Sequence, residues 1–151
     1  MARRVVSTTV DANVLIYASD AGSPHHDDSR RLLDALAAGP ELIRLFWPVV
    51  MAYLRITTHA SVFSTPLTPS EAEANVGALT ELPHVKVIGE GDGFWNVYKD
   101  ARSGIVVRGN LVTDAHIVAL MRQHGVKEIW TKDRDFAKFP GIKVRDPATF
   151  R

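Results

Sequence analysis

The chain has 151 residues, 46% of them hydrophobic and 23% charged, with a formal net charge of +1. Those proportions belong to a soluble globular domain large enough to bury a core, and the near-zero charge points to no partner by itself. There is no cysteine, which excludes disulfide frameworks and thiolate zinc sites and fits a reducing compartment. Arg3-Arg4 ahead of an apolar stretch has the outline of a secretory leader, but Ser7, Thr8, Thr9 and Asp11 interrupt the stretch and no small-residue cleavage pattern follows. No segment reaches the length of a membrane span. The expected setting is cytoplasmic, with no membrane partner.

In chain order, residues 5–10 read as a first strand that closes on Asp11, with the apolar helix start Ala12-Asn13-Val14-Leu15-Ile16 directly behind it. His25-His26-Asp27-Asp28 has the residue types of a metal cluster. Adjacent residues do not share a helix face, however, so it reads as a loop and a helix start. The helix over 27–38 gains from Asp27 and Asp28 in its first turn and stops at Gly39-Pro40. A strand over 42–47 leads into a helix over 48–58 with Pro48 at its first position. Ser70, followed by Glu71 and Glu73, is expected to cap a helix over 70–79. A strand over 85–88 and a helix over 93–103 follow, then a long helix over 111–124 ended by Gly125. Strands over 128–131 and 142–144 close the chain. Without repeats or linkers, residues 1–151 form a single domain. Alternating strands and helices predict an α/β fold with a mostly parallel sheet of about five strands covered on both faces. Trp47, Trp95 and Trp130 are expected as core or interface anchors, with an exposed partner contact as the lesser alternative for the glycine-flanked Phe94-Trp95.

In such a sheet, ligands gather at the carboxyl ends of the strands. Asp11 ends the first strand, Asp133 and Asp135 follow the strand that ends at Thr131, and Asp114 is expected in the first turn of the long helix. The topology brings all four to one edge. Burying a lone carboxylate is costly unless something compensates it. Taken singly, each acid has an ordinary role: Asp11 as a helix cap, Asp114 as first-turn charge, Asp133 and Asp135 as a solvated turn, with Asp135 the more structural. Taken together, carboxylates without Cys or His partners suit Mg²⁺ or Mn²⁺. A cluster of that kind serves phosphodiester cleavage, a phosphatase or a phosphate-accepting site alike. The phosphotransfer alternative uses Asp11 as nucleophile, but the second acid of an Asp-x-Asp motif is Asn13 here. The cations from Arg122 to Arg145 suggest either a polyanion-facing side or an ordinary solvated face. Arg55, Lys132 and Arg134 are the candidate phosphate contacts.

Four segments, in this order, resemble the PIN-domain ribonucleases, and more narrowly the VapC-type toxins of toxin–antitoxin pairs. They are Val10-Asp11-Ala12-Asn13-Val14-Leu15, Tyr53-Leu54-Arg55-Ile56-Thr57-Thr58-His59-Ala60-Ser61-Val62-Phe63, the Asp114-Ala115-His116 helix start running to His124-Gly125, and Thr131-Lys132-Asp133-Arg134-Asp135-Phe136. The resemblance implies a PIN-like α/β/α sandwich and RNA cleavage dependent on Mg²⁺ or Mn²⁺. It implies Asp11 and Asp114 as direct metal ligands, Asp133 as the third acid, Asp135 as a further acid, and Asn13 and Thr131 as groups that orient ligands or water. It also implies a VapB-type antitoxin that covers the acidic groove, and a homodimer through the helical edge. One position departs from the pattern. A Glu belongs just before the aromatic-Leu-Arg segment, and this chain has Ala52; Glu41 lies at the wrong end of the sheet to replace it. An engineered loss of one acid, a divergent member using the remaining acids, and an inactive RNA- or partner-binding descendant all fit that departure.

Overall fold

A computed structural model describes residues 7–151. Its framework is five short strands: β1 (Ser7–Val10), β2 (Leu42–Phe46), β3 (Val85–Ile88), β4 (Glu128–Trp130) and β5 (Lys143–Arg145). They form one sheet in the order β3-β2-β1-β4-β5, and every pairing is parallel. Parallel sheets must be covered on both faces. Accordingly Thr8, Thr9 and Val10 of β1, Ile43, Leu45 and Phe46 of β2, and Ile129 and Trp130 of β4 are almost wholly buried. Six helices supply the cover: α1 (Ala12–Ala18), α2 (His26–Ala38), α3 (Trp47–Thr57), α4 (Pro69–Thr80), α5 (Phe94–Ala101) and α6 (Asn110–Gln123). The result is an α/β/α sandwich, all parallel where the sequence suggested mostly parallel. Among the described residues, no helix is long and apolar enough to cross a membrane.

The strand order creates the site. From β1 the chain winds outward through β2 to β3, then returns to the other side of β1 for β4 and β5. The reversal opens a crevice at the carboxyl ends of β1 and β4, where ligands bind in open α/β sheets. Asp11 follows β1 and Thr131 follows β4, so both sit on that crevice. α6 forms its wall: Asp114, Ala115 and the run from Ile117 to Met121 are buried, and α5 packs along it.

Most expected elements exist, with shifted ends. The first expected strand begins at positions 5 and 6, which lie outside the described residues. Trp47 opens α3 rather than ending β2, so Pro48 stands at the second helical position, where the first turn does not need its N–H. The cap of α4 is Thr68, not Ser70. Its side chain accepts from the Glu71 N–H while the Glu71 carboxylate takes the Thr68 N–H, a reciprocal capping box. The expected 93–103 helix shortens to α5. α6 starts at Asn110, which moves Asp114 out of the first turn and into the second. β4 stops at Trp130, before Thr131, and β5 is shifted one residue later than expected. Trp130 is core at 2% exposure, whereas Trp47 and Trp95 are 48% and 66% exposed. His25 and His26 sit where helix α2 begins, and His26 Nδ1 lies 2.9 Å from the Tyr17 carbonyl oxygen.

Candidate metal centre

The centre is assembled around Thr131. The Asp11 N–H donates to the Trp130 carbonyl at 3.0 Å, which continues the β1–β4 ladder up to the crevice. There the Asp11 carboxylate caps α1, accepting the Ala12 N–H at Oδ1 at 2.7 Å. Its other oxygen, Oδ2, accepts the Thr131 hydroxyl at 2.8 Å. That hydroxyl in turn accepts from Asn13 Nδ2 at 3.2 Å and from the Asp133 N–H at 2.9 Å. A hydroxyl has one proton and two lone pairs, so these three bonds fix its orientation and tie α1 to the turn after β4. Asp133 then caps the short 3-10 turn Arg134–Lys138 by accepting the Asp135 N–H at 2.9 Å.

Asp114 reaches the same place from α6. One carboxylate oxygen from each of Asp114, Asp133 and Asp135 falls within 4.8 Å of the others. Oxygens on opposite sides of one Mg²⁺ stand about 4.2 Å apart, twice the usual bond length of about 2.1 Å. The donors present, all carboxylate, therefore fit a single hard divalent cation after small side-chain movements. Electrostatics agree. Asp114 is 9% exposed, and its carboxyl is pushed up to about 7, first by burial and then by the charges of Asp133 and Asp11. The Asp11 carboxyl is also raised, again chiefly by burial, against the opposing hydrogen bonds from Thr131 and Ala12. Both shifts are those of carboxylates partly desolvated and gathered close together.

The predicted residues divide as follows. Asp114, Asp133 and Asp135 come together, including the acid that looked most structural. Asp11 lies beside them, close enough to act on Asp114 electrostatically, and is held by Thr131 and Ala12. Asn13 and Thr131 belong to the bonding network around Asp11 and Asp133. Ala52 stands half-buried on α3, a helix with no acidic residue along its length. Glu41 lies with Glu128 and Arg145, before the start of β2. Arg55 and Arg134 are exposed. Lys132 does not point freely at solvent: its ammonium donates to both oxygens of Asp146, at 2.9 and 3.0 Å. Sequence spacing held no signal for Asp146, because the pair forms only when β5 packs beside β4. Lys138 lies 3.2 Å from Asp135, an exposed ion pair at the rim of the acidic group. His116 pairs with Glu90 at 2.6 Å, away from the acids.

Known proteins resemble the chain over most of its length. A profile of the PIN domain matches residues 8–142. Ribonuclease VapC48 of Mycobacterium tuberculosis is 48% identical over 142 residues, covering 94% of this chain and 98% of the relative. Among solved structures, M. tuberculosis VapC20, described as a sarcin–ricin-loop-cleaving toxin, superposes with a TM-score of 0.63 at 18% identity, covering 90% of this chain and 98% of that one. A toxin–antitoxin complex from Klebsiella pneumoniae gives a TM-score of 0.59 at 18% identity, covering 93% and 97%. At such identities the structures speak to the fold alone. The family profile and the close relative go further: the chain belongs to the PIN-domain family and, within it, to the VapC group.

Proposed function

We propose that the chain is an endoribonuclease, the toxin of a VapBC-type pair, that hydrolyses RNA phosphodiesters with Mg²⁺ or Mn²⁺ at Asp114, Asp133 and Asp135. The supporting observation is the convergence of three carboxylates, from two segments distant in sequence, within 4.8 Å at the reversal point of the sheet. The relative named Ribonuclease VapC48 supports the reaction class. A bound divalent ion supplies charge neutralisation at the phosphate and an acidified water. The three acids hold it. Asp11, with one bond on each oxygen, keeps its remaining lone pairs for the ion or the attacking water. Thr131 and Asn13 position Asp11 and the Asp133 backbone. The expected partners are RNA, a VapB-type antitoxin, as the Klebsiella toxin–antitoxin complex suggests, and a second copy of the chain. Lys132 contributes less to phosphate binding than its position suggested, because Asp146 already neutralises it.

Ala52 favours a second reading, an RNA- or partner-binding PIN domain without turnover, since α3 offers no carboxylate. The two separate in an RNA-cleavage assay with Mn²⁺. Under the nuclease reading Ala52→Glu cuts faster than the present chain, and adding Asp11→Asn stops it. If neither chain cuts RNA while both still bind Mn²⁺, the binding reading takes its place.

A further inference from the structure

α5 carries a surface that the acidic centre does not use. Trp95 is 66% exposed. The Tyr98 ring lies parallel to it, 7° from coplanar orientation with centroids 5.6 Å apart. The Lys99 ammonium stands 5.8 Å from the Trp95 ring centre. Both supports come from positions three and four residues later in the helix, so they back the indole from its carboxyl-terminal side. With two thirds of its surface in solvent, the indole keeps a free side. An indole held from behind and open in front is a stacking platform.

The surface belongs to a helix packed against α6, which carries Asp114. Phe94, one residue before Trp95, meets the His116 ring edge-on at 5.5 Å, and His116 is two residues from Asp114 on α6. The charge suits a polyanion: between residues 94 and 109 the exposed cations are Lys99, Arg102 and Arg108, against the single acid Asp100. The same cations argue against a second copy as occupant, because a two-fold contact would set each patch against its twin.

We propose that Trp95, backed by Tyr98 and Lys99, is a stacking site for an unpaired base of single-stranded RNA. The proposal rests on the nuclease reading for its substrate, but its test does not need cleavage. Base stacking on an aromatic side chain tolerates any sequence, so a short mixed-sequence RNA labelled with fluorescein is a sufficient probe. Binding is read by anisotropy in EDTA, and oligomeric state by sedimentation. Trp95→Ala is expected to weaken binding about five- to 100-fold, Trp95→Phe to restore most of it, and neither to change sedimentation. Equal affinity of Trp95→Ala and the parent chain overturns the platform, even if the parent cleaves RNA. Weaker binding accompanied by a smaller sedimenting species also overturns it, and identifies the face as a contact between copies. If Trp95→Ala binds weakly while the parent binds RNA and never cleaves, the platform stands and the nuclease reading falls.

Discussion

Thr131 shows how much one hydroxyl decides. Its single proton goes to Asp11, and its lone pairs take Asn13 and the Asp133 N–H. Thr131→Val keeps the shape and removes all three bonds. It should lower Mn²⁺ affinity about 10- to 100-fold, measured by calorimetry, while Thr131→Ser stays close to the parent. Asp114 sets the pH response. Its carboxyl is at about 7 in the fold against an ordinary 3.8, so the folded state holds the proton more tightly than the unfolded chain. The contribution of Asp114 to metal-free stability is therefore fully present below its ordinary value and is lost as pH rises through about 7, while Mn²⁺ affinity rises over the same range as the proton leaves. Thermal melts in EDTA between about pH 5 and pH 8 should show that slope, and Asp114→Asn should flatten it and melt higher at the alkaline end. At this scale the sequence was informative about acids and poor at partners. Asp11, Asp114, Asp133 and Asp135 stood out as candidates, of which the fold gathers the last three within 4.8 Å. The Lys132–Asp146 pair was not, since its members are joined only by packing.

Among the elements, α4 is the clearest case of a local rule read one turn-start late. Thr68-Pro69-Ser70-Glu71 contains two hydroxyl residues, and Ser70 looked like the cap because two acids follow it. The spacing of a capping box fits Thr68 with Glu71 and Ser70 with Glu73 alike; Pro69, placed at the first helical position, makes Thr68 the cap. Thr68→Ala should cost about 1 kcal/mol in urea unfolding, with an unchanged m-value. α6 shows the opposite situation. Its existence was plain, but its start at Asn110 rather than Leu111 moves Asp114 into the second turn. The carboxylate is thus presented by a helix buried from Asp114 onward, not by a frayed first turn. That burial, more than the helix dipole, governs the state of Asp114.

For the whole molecule, the decisive fact is the strand order. The reversal between β1 and β4 brings a residue near the amino terminus against residues 120 positions later, as the Asp11–Thr131 bond records. Acids gathered this way repel one another until a cation arrives, so the metal should stabilise the entire fold. Mn²⁺ at a hundred times its dissociation constant adds about 2.7 kcal/mol. A rise in melting temperature with Mn²⁺, reversed by EDTA and absent in Asp133→Asn, is the expected outcome, and calorimetric scans check it. The same scale explains Trp47 and Trp95. Their composition suggested anchors, and only the layout of the helices reveals that both face outward.

Periodicity and turn residues were enough, from the sequence by itself, to determine an α/β chain, and four ordered segments carried its resemblance to the PIN family. Those signals are local, or they belong to a pattern repeated in order along the chain. Tertiary structure alone decided which acids share a site, and that Asp135 joins them while Asp11 is held to one side by Thr131 and Ala12. It alone neutralised Lys132 and left Trp95 in solvent. The physical reason is that hydrogen bonding, desolvation and charge repulsion depend on distances between segments, and those distances exist only once the sheet has closed around β1.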